Sequence, residues 1–369
     1  MPGERLYSAV DEYPDLENHH SHMAHCLTEE VYRRMRERET ASGFSIDNAI
    51  QVGVDNPGDP YPMSVGCLAG DEESYQVFAE FFDQIIEARH NGFKPTNDHV
   101  SDIDLSKISD LGDDYDDTNC IVSCRVRSVR NIKGFALPPH CTRAERRKVE
   151  RIATDALSKM TEDFKGRYHR VKDEDCDSAL SGSLEKLTPA ALPSCMSRDW
   201  PDARGVWINE KKNFVAEINH KDHVNLMSIE KGGNLCKAFT RWCIGADMFE
   251  KTLKESGNDV MRNSHLGYIA SCPGGLGTGL RIEVRIRIPK LRRHFRFEEV
   301  LRRLRLEARM TSEVGDDNTC DVINLDSVGV SEVELLRTVV DGIRFLIGCE
   351  RKLEESGNID RDINSLQRK

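Results

Sequence analysis

Residues 280–288, Leu-Arg-Ile-Glu-Val-Arg-Ile-Arg-Ile, alternate strictly between apolar and charged side chains. Because successive side chains of a strand point to opposite faces, this alternation predicts a strand with one apolar face and one charged face. The apolar face must be covered, and helices packed on one side of an antiparallel sheet are the usual cover. The segment therefore restricts the chain to folds that contain a half-covered sheet.

Four further patterns predict where other strands and helices lie. Two short apolar segments, at residues 214–218 and 224–229, predict strands. Two capping boxes, at residues 142–145 and 331–334, each precede apolar positions at helical spacing. Strands and helices do not alternate regularly along the chain, so the predicted fold class is α+β rather than a parallel βαβ arrangement.

The chain divides into three parts by pattern and composition. Residues 1–101 have helix-period apolar positions interrupted by loops, and residues 102–118 form an acidic segment with few large apolar side chains. Residues 119–369 carry the predicted strands and the long helices. We therefore predict a small all-helical N-terminal domain, an acidic linker, and a larger C-terminal domain with an antiparallel sheet flanked by helices.

Composition disfavours several classes of function. The 369 residues include 52 Lys and Arg against 63 Asp and Glu, and a net charge of −11 disfavours a generic nucleic-acid binder. No apolar run is long enough for a membrane span and the N-terminus lacks an apolar signal core, so we expect a cytoplasmic protein without membrane contact. Twelve scattered cysteines predict reduced thiols and no protein metal site.

Arginines on strand faces are the first candidate for a site. Arg125 and Arg127 are two residues apart on a predicted strand and share a face, and Arg281 follows the glycine-rich turn at residues 274–279. Guanidinium groups bind phosphate oxygens in pairs, so the arginines predict an anion site. The alternative is a solvated strand face with ion pairs to the acidic excess. The glycine turn decides nothing alone, because it lacks the Gly-Lys-Ser/Thr of a nucleotide loop.

Cys272 is a second candidate, because it stands between a predicted strand and the glycine-rich turn. Backbone amides of that turn, with Arg281 nearby, would lower the pKa of the thiol and make it reactive. No partner histidine is indicated by the sequence. A buried, unreactive cysteine is therefore the alternative.

Five longer motifs lie at residues 65–75, 137–147, 198–205, 230–234 and 272–281. The last reads Cys-Pro-Gly-Gly-Leu-Gly-Thr-Gly-Leu-Arg. Together the motifs resemble those of phosphagen kinases, the ATP:guanidino phosphotransferases, and in particular the creatine kinase branch. The resemblance spans nearly the whole chain. It implies a glutamine-synthetase-like fold with an antiparallel sheet of about eight strands, a homodimer, and phosphoryl transfer from ATP with Mg²⁺ to a guanidino nitrogen.

The same resemblance implies site residues. The positions that match the family's nucleotide-binding residues are Ser123, Arg125, Arg127, Arg281 and Arg309. Cys272 matches the cysteine that contacts the guanidino substrate, and Val65 matches the apolar position of the substrate-specificity loop. ATP or ADP with Mg²⁺ is the implied cofactor, with the ion bound through the nucleotide.

The chain departs from the family pattern around the catalytic base. The family motif Trp-x-Asn-Glu-Glu-Asp-His corresponds here to residues 217–223, Glu-Ile-Asn-His-Lys-Asp-His. His220 and Lys221 thus replace two glutamates, and Lys221 stands at the catalytic one. Asn225 replaces a phosphate-binding arginine. A lysine repels a guanidinium substrate by up to about 4 kcal/mol at contact distance when the effective dielectric constant is near 20.

Two hypotheses follow from these departures. In the first, the chain is a catalytically impaired or inactive member of the family that serves as a binding or structural protein, associated with a cytoskeletal or other large assembly. In the second, it is an active ATP:guanidino phosphotransferase with a rearranged base. The second hypothesis requires another carboxylate near the guanidino group, and Glu217 and Asp222 are the candidates.

Overall fold

The computed structural model of the chain describes residues 7–111, 120–172, 187–310 and 318–366. The N-terminal domain is helical, as predicted, and its core is built on the fully buried Phe78, Phe81 and Phe82. Its helices are α1 (Ala9–Glu12), α2 (His22–Cys26), α3 (Glu29–Met35), α4 (Ile46–Val54), α5 (Ser74–Val77) and α6 (Ala79–Arg89). Side chains of Ser21, Thr28 and Ser45 accept hydrogen bonds from backbone N–H groups in the first turns of α2, α3 and α4, which fixes where these helices begin.

The larger domain is built on one antiparallel sheet of eight strands, and this confirms the predicted fold class. In chain order its strands are β1 (Ile121–Arg130), β2 (Gly166–Arg170), β3 (Gly205–Asn209), β4 (Phe214–Ile218), β5 (Val224–Lys231), β8 (Leu280–Arg287), β9 (Leu306–Met310) and β10 (Thr319–Asn324). Their order across the sheet is β2-β3-β4-β5-β1-β8-β10-β9, and every neighbouring pair is antiparallel. A separate two-stranded sheet pairs β6 (Arg262–Asn263) with β7 (Gly267–Tyr268).

Helices flank the sheet as predicted. They are α7 (Arg143–Ser158), α8 (Ser194–Ser197), α9 (Leu235–Glu255), α10 (Pro289–Arg292), α11 (Phe297–Arg303), α12 (Glu332–Glu354) and α13 (Asp360–Ser365). Single 3-10 turns lie at Glu162–Phe164, Pro189–Ala191 and Pro273–Gly275. Both capping boxes predicted from the sequence are present, with Thr142 and Ser331 as the N-cap residues of α7 and α12.

One face of the sheet is covered and holds the main core. Val126 of β1 and Ile282 and Val284 of β8 are buried there among side chains of α7, α9 and α12. Trp242 of α9 is 1% exposed and donates its indole N–H to Ser128 Oγ of β1 at 2.9 Å. The alternation of residues 280–288 therefore has the predicted cause: its apolar members face the helices. Within the described residues, no helix combines the length and apolar character needed to cross a membrane.

The acidic segment proposed as a linker is described as far as residue 111. It contains a 3-10 helix, Leu105–Leu111, whose Ile108 is buried in the core of the larger domain. The Glu332 carboxylate at the start of α12 accepts a hydrogen bond from the backbone N–H of Asp102 at 2.8 Å. This part of the segment thus packs on the larger domain. The remaining linker residues lie outside the described chain, and the proposed boundaries stay a prediction.

Candidate active site

The four arginines singled out in the sequence lie on the open face of the sheet. In the register of β1 with β8, Arg125 is opposite Glu283 and Arg127 is opposite Arg281. Directly paired residues share a face, so these side chains point to the same side. Ser123, opposite Arg285, belongs to this face as well. Pairing through β10 to β9 places Arg309 on it too.

Two buried glutamates lie among these arginines. The Glu283 carboxylate is 2.9 Å from Arg125 Nη1 and 3.5 Å from Arg127 Nη2. The sequence alternation placed Glu283 on the open face, but nothing local indicated which arginines it would meet. The second is Glu307 of β9, which lies on the same face because Ile323 of β10 is opposite both glutamates. No sequence pattern singled out Glu307.

Glu307 is the centre of a second cluster of ion pairs. Its carboxylate is 2.8 Å from Arg309 Nη2, 3.6 Å from Arg281 Nη1 and 3.6 Å from Nη2 of Arg89 at the end of α6. Burial alone would raise the pKa of Glu307, but Arg281, Arg309 and Arg89 outweigh burial and lower it. Arg89 was not identified from the sequence, because its position depends on how the two domains pack.

A cavity of about 300 Å³ lies between the N-terminal domain and this part of the sheet. Its lining brings Val65 together with Cys272. It also contains three arginines of the second ion-pair cluster and its carboxylate, namely Arg89, Arg281, Arg309 and Glu307. The loop that carries Val65 is attached to the larger domain by a hydrogen bond from the Ala69 N–H to the Ser271 carbonyl at 2.7 Å.

The pKa of Cys272 decides between the two alternatives that the sequence left open. Burial raises the pKa of its thiol, while the backbone N–H of Gly274 and the charges of Arg281 and Arg89 offset only part of the rise. The structure therefore favours the unreactive cysteine over the reactive thiolate. The turn supplies the predicted amide and arginine, but the thiol is too far removed from solvent for them to dominate.

The turn between β4 and β5 carries His220 and Lys221, which the resemblance aligns with the family's two glutamates. His220 is buried, and its Nδ1 is 3.7 Å from the Glu217 carboxylate. Asn225 donates its side-chain N–H to the same Glu217 oxygen at 2.9 Å. Burial would raise the pKa of Glu217, but the hydrogen bond with His220 and its charge, together with Asn225 and Arg127, lower it to about 2. Glu217 is therefore an ionised carboxylate with its own partners.

Lys221 lies in the turn between β4 and β5, and it is exposed. Desolvation nevertheless lowers the pKa of its amine, and the charges of Arg127, Arg281 and Arg309 lower it further. Lys221 is thus within electrostatic reach of the arginines on the sheet.

Asp222 is buried and has a structural role. Its Oδ1 accepts hydrogen bonds from Asn131 Nδ2 at 2.7 Å and from the backbone N–H of Ser271 at 2.8 Å. Burial raises its pKa despite these bonds. The carboxylate therefore fixes the segment that leads into Cys272.

Comparison with known proteins agrees with this architecture. The family model "ATP:guanido phosphotransferase, C-terminal catalytic domain" matches residues 148–353, and the corresponding N-terminal domain model matches residues 17–87. The chain belongs to the phosphagen kinase family.

Individual relatives place the chain near the creatine kinases. It is 46% identical to creatine kinase M-type of Bos taurus over 363 residues, which covers 96% of this chain and 95% of that protein. It is 47% identical to creatine kinase B-type of Gallus gallus over 363 residues, with the same coverage of 96% and 95%. The crystal structure of lombricine kinase superposes with a TM-score of 0.84 at 36% identity, covering 97% of this chain and 99% of that one. The fold of this phosphagen kinase is therefore the family fold along nearly its entire length.

Proposed function

We propose that this creatine-kinase-like protein is impaired or inactive in phosphoryl transfer to a guanidino nitrogen and serves as a binding or structural protein. The observation that supports this most directly is that a lysine, Lys221, stands at the proposed base position, with Arg127, Arg281 and Arg309 as its electrostatic neighbours. A guanidinium substrate would meet net repulsion there instead of a carboxylate. Loss of a general base typically costs on the order of 10²–10⁴ in rate.

Among the described residues near Lys221, neither Glu217 nor Asp222 is a free carboxylate. Glu217 is held by Asn225 and lies beside His220, while Asp222 is held by Asn131 and Ser271. These groups satisfy one another. Phosphoryl transfer depends on positioned charges around the transferred group, so a site whose charges are already paired is poorly suited to it.

We propose that the protein keeps some affinity for ATP or ADP with Mg²⁺. Nε of Arg125 and Nε of Arg127 are buried without a hydrogen-bond partner, so donors are left for phosphate oxygens. The Mg²⁺ would enter with the nucleotide. Among the described residues, no three His, Cys, Asp or Glu side chains are grouped as metal ligands.

A cytoplasmic homodimer with a structural protein partner is the assembly we propose by analogy with the family. The motif at residues 198–205 supports a preserved surface for association. Two residues of this motif form ion pairs with largely exposed arginines of α7. Arg143 is 2.7 Å from Asp199, and Arg147 is 2.9 Å from Asp202.

The second candidate function is an active ATP:guanidino phosphotransferase that uses Glu217. Glu217 lies on the open face of β4 beside the replaced base positions, and its low pKa of about 2 keeps it ionised for binding a guanidinium. A carboxylate with so low a pKa is a weak proton acceptor, however, so this candidate supplies binding more readily than base catalysis.

The test is ATP-dependent phosphorylation of creatine, arginine, glycocyamine and taurocyamine by the unaltered protein and by the double variant Lys221→Glu, Asn225→Arg. We expect no turnover above the rate without enzyme for the unaltered protein, and measurable turnover for the double variant. Lys212→Glu, a charge reversal at an exposed residue of the β3–β4 turn, is the control and should stay inactive.

Turnover by the unaltered protein at or above the rate of the double variant would refute impairment and identify the substrate. Loss of that turnover in Glu217→Gln would then favour the second candidate. A folded but inactive double variant would show that the defect is not confined to positions 221 and 225.

A further inference from the structure

Glu283 and Glu307 form ion pairs with arginines of the open face. Glu283 is 6% exposed and pairs with Arg125 and Arg127, and Glu307 is 4% exposed and pairs with Arg89, Arg281 and Arg309. Two carboxylates thus contact five guanidinium groups. The two glutamates follow each other across the sheet, since Ile323 of β10 is opposite both.

Such a cluster needs anions to be stable. Guanidinium groups packed on one face repel each other, and burial together with Arg309, Arg127 and Arg89 lowers the pKa of Arg281 to about 10. A bound phosphate would relieve this repulsion in a nucleotide site. Here the two carboxylates provide the negative charge permanently, and they provide oxygen acceptors of the same kind that guanidinium groups bind in phosphates.

We propose that Glu283 and Glu307 are built-in anions that compete with phosphate oxygens for the arginines and so set a low affinity for nucleotides and other polyphosphates. This inference rests on the proposed assignment of these arginines to the nucleotide phosphates. A carboxylate tethered next to its arginine competes at a high effective concentration, so a free phosphate must displace it or accept fewer contacts. The arginines are accessible for this competition: the side chains of Arg127 and Arg281 are 26% and 27% exposed.

The partial saturation of the arginines explains why the competition limits binding without abolishing it. Two carboxylates offer four oxygens, and Nε of Arg125, Nε of Arg127 and one Nη of Arg89 are buried without a partner. These donors still favour an anion. Neutralising either glutamate should therefore convert the cluster into a stronger polyphosphate site, because the freed guanidinium groups gain a ligand they now lack.

The experiment measures binding of MgADP and of inorganic pyrophosphate by calorimetry at fixed ionic strength. The proteins are the unaltered chain, Glu283→Gln and Glu307→Gln. We expect each glutamine variant to bind pyrophosphate at least about ten-fold more tightly, which corresponds to the removal of one close ion pair. Pyrophosphate should also raise the melting temperature of the variants more than that of the unaltered protein.

Asp321→Asn is the matched control. Asp321 is a buried carboxylate on the same sheet, 6% exposed, that binds Arg285 through two contacts of 2.8 and 3.0 Å. Its substitution changes the net charge equally but frees none of the five arginines. We expect its pyrophosphate affinity to stay within about two-fold of the unaltered protein.

The proposal is overturned if the glutamine variants bind no more tightly than the unaltered protein, if none of the proteins binds, or if Asp321→Asn gains as much as they do. If a glutamine variant fails to fold, Glu283→Asp replaces it, because the shorter side chain keeps the charge but withdraws it from Arg125. A gain in affinity is then expected, and no gain overturns the proposal. Failure of the proposed function would be seen differently, as guanidino turnover by the unaltered protein.

Discussion

Strands β1 and β8 present apolar side chains to helices on one face, and arginines with the single glutamate Glu283 on the open face. On the covered face, Val126 and Ile282 pack against α9 and its neighbours, and shape decides which residue fits. On the open face, Arg127 and Glu283 are held by their opposite charges, and the anions that pair with the arginines determine which ligand binds. The first face is needed for the fold, whereas the second determines the ligand.

This division has a practical consequence for this phosphagen kinase. Lys221 and Asn225 lie outside the helix-covered core, so substitutions there can change the proposed site while the family fold persists. The comparison predicts that stability and anion binding respond to different substitutions. The four predictions below test that separation.

The largest effect is expected on the covered face. Trp242→Ala should lower the free energy of unfolding by about 3–5 kcal/mol, since it leaves a large cavity and removes the hydrogen bond to Ser128. Urea denaturation measures the loss of stability. Pyrophosphate affinity, measured at 15 °C, should change by less than about two-fold. Ile244→Ala is the control, because Ile244 lies on the same helix but is 45% exposed, and it should cost less than about 0.5 kcal/mol. A large loss of affinity in Trp242→Ala would show that the two faces are coupled.

On the open face, Glu217 should stabilise the protein in a pH-dependent way. Its folded pKa of about 2 lies below the ordinary 4.5, so its contribution is full above about pH 4.5 and is lost as the pH falls toward 2. The shift corresponds to about 3 kcal/mol at neutral pH. Glu217→Gln should therefore be less stable than the unaltered protein by about that amount at pH 7, and by about 1 kcal/mol at pH 3.

The measurement for Glu217 is the free energy of unfolding as a function of pH in both proteins. The exposed Glu298→Gln gives the baseline for removing one surface carboxylate. A difference that does not shrink on acidification would mean that the ionised form of Glu217 is not the stabilising one.

The third prediction concerns His90, which lies where the N-terminal domain contacts the larger domain. It is buried after α6, donates from Nε2 to the Pro273 carbonyl at 3.0 Å and accepts at Nδ1 from the Ser327 N–H at 3.3 Å. Burial and Arg89 lower its pKa to about 3 from the ordinary 6.5. Below about pH 6.5 the unfolded chain therefore takes up a proton that the folded chain does not, and stability is lost as the pH falls toward 3.

We expect this uptake to cost about 2 kcal/mol between pH 6.5 and pH 5. The His90→Gln variant has no titrating ring. Over the same pH interval it should therefore lose about 2 kcal/mol less stability than the unaltered protein. Urea denaturation at the two pH values measures the difference. Equal slopes in the two proteins would show that His90 is protonated in the folded state.

Much of the fold could be predicted because its signals are local. The alternation at residues 280–288 fixed a strand and its faces, and the capping boxes located the starts of α7 and α12. The sheet order could not be obtained from such patterns. It depends on pairing between segments far apart in the chain, such as Arg125 and Glu283, which are separated by 158 residues.

The candidate site was predictable only in part, for the same reason. The arginines and Cys272 were found from motifs, yet the partners that set their properties, Glu307 and Arg89, come from β9 and from the other domain. The direction of the Cys272 pKa shift stayed open at the level of the sequence, because a turn sequence indicates nearby amides but not burial. Which charges meet is thus a tertiary property, even where each charged residue stands in a recognisable motif.

The smallest effect is expected at Lys221, because its side chain is exposed and its influence is long-range. Lys221→Met should change the free energy of unfolding by less than about 0.5 kcal/mol. It should weaken pyrophosphate binding by about two- to three-fold at low salt, the effect of one charge several ångströms away in a water-like medium, and by less at 0.5 M salt. The exposed Lys212→Met is the matched control and should leave affinity unchanged. An unchanged affinity in Lys221→Met would place Lys221 outside the field of Arg127, Arg281 and Arg309, whereas the expected loss would make Lys221 part of the anion-binding face.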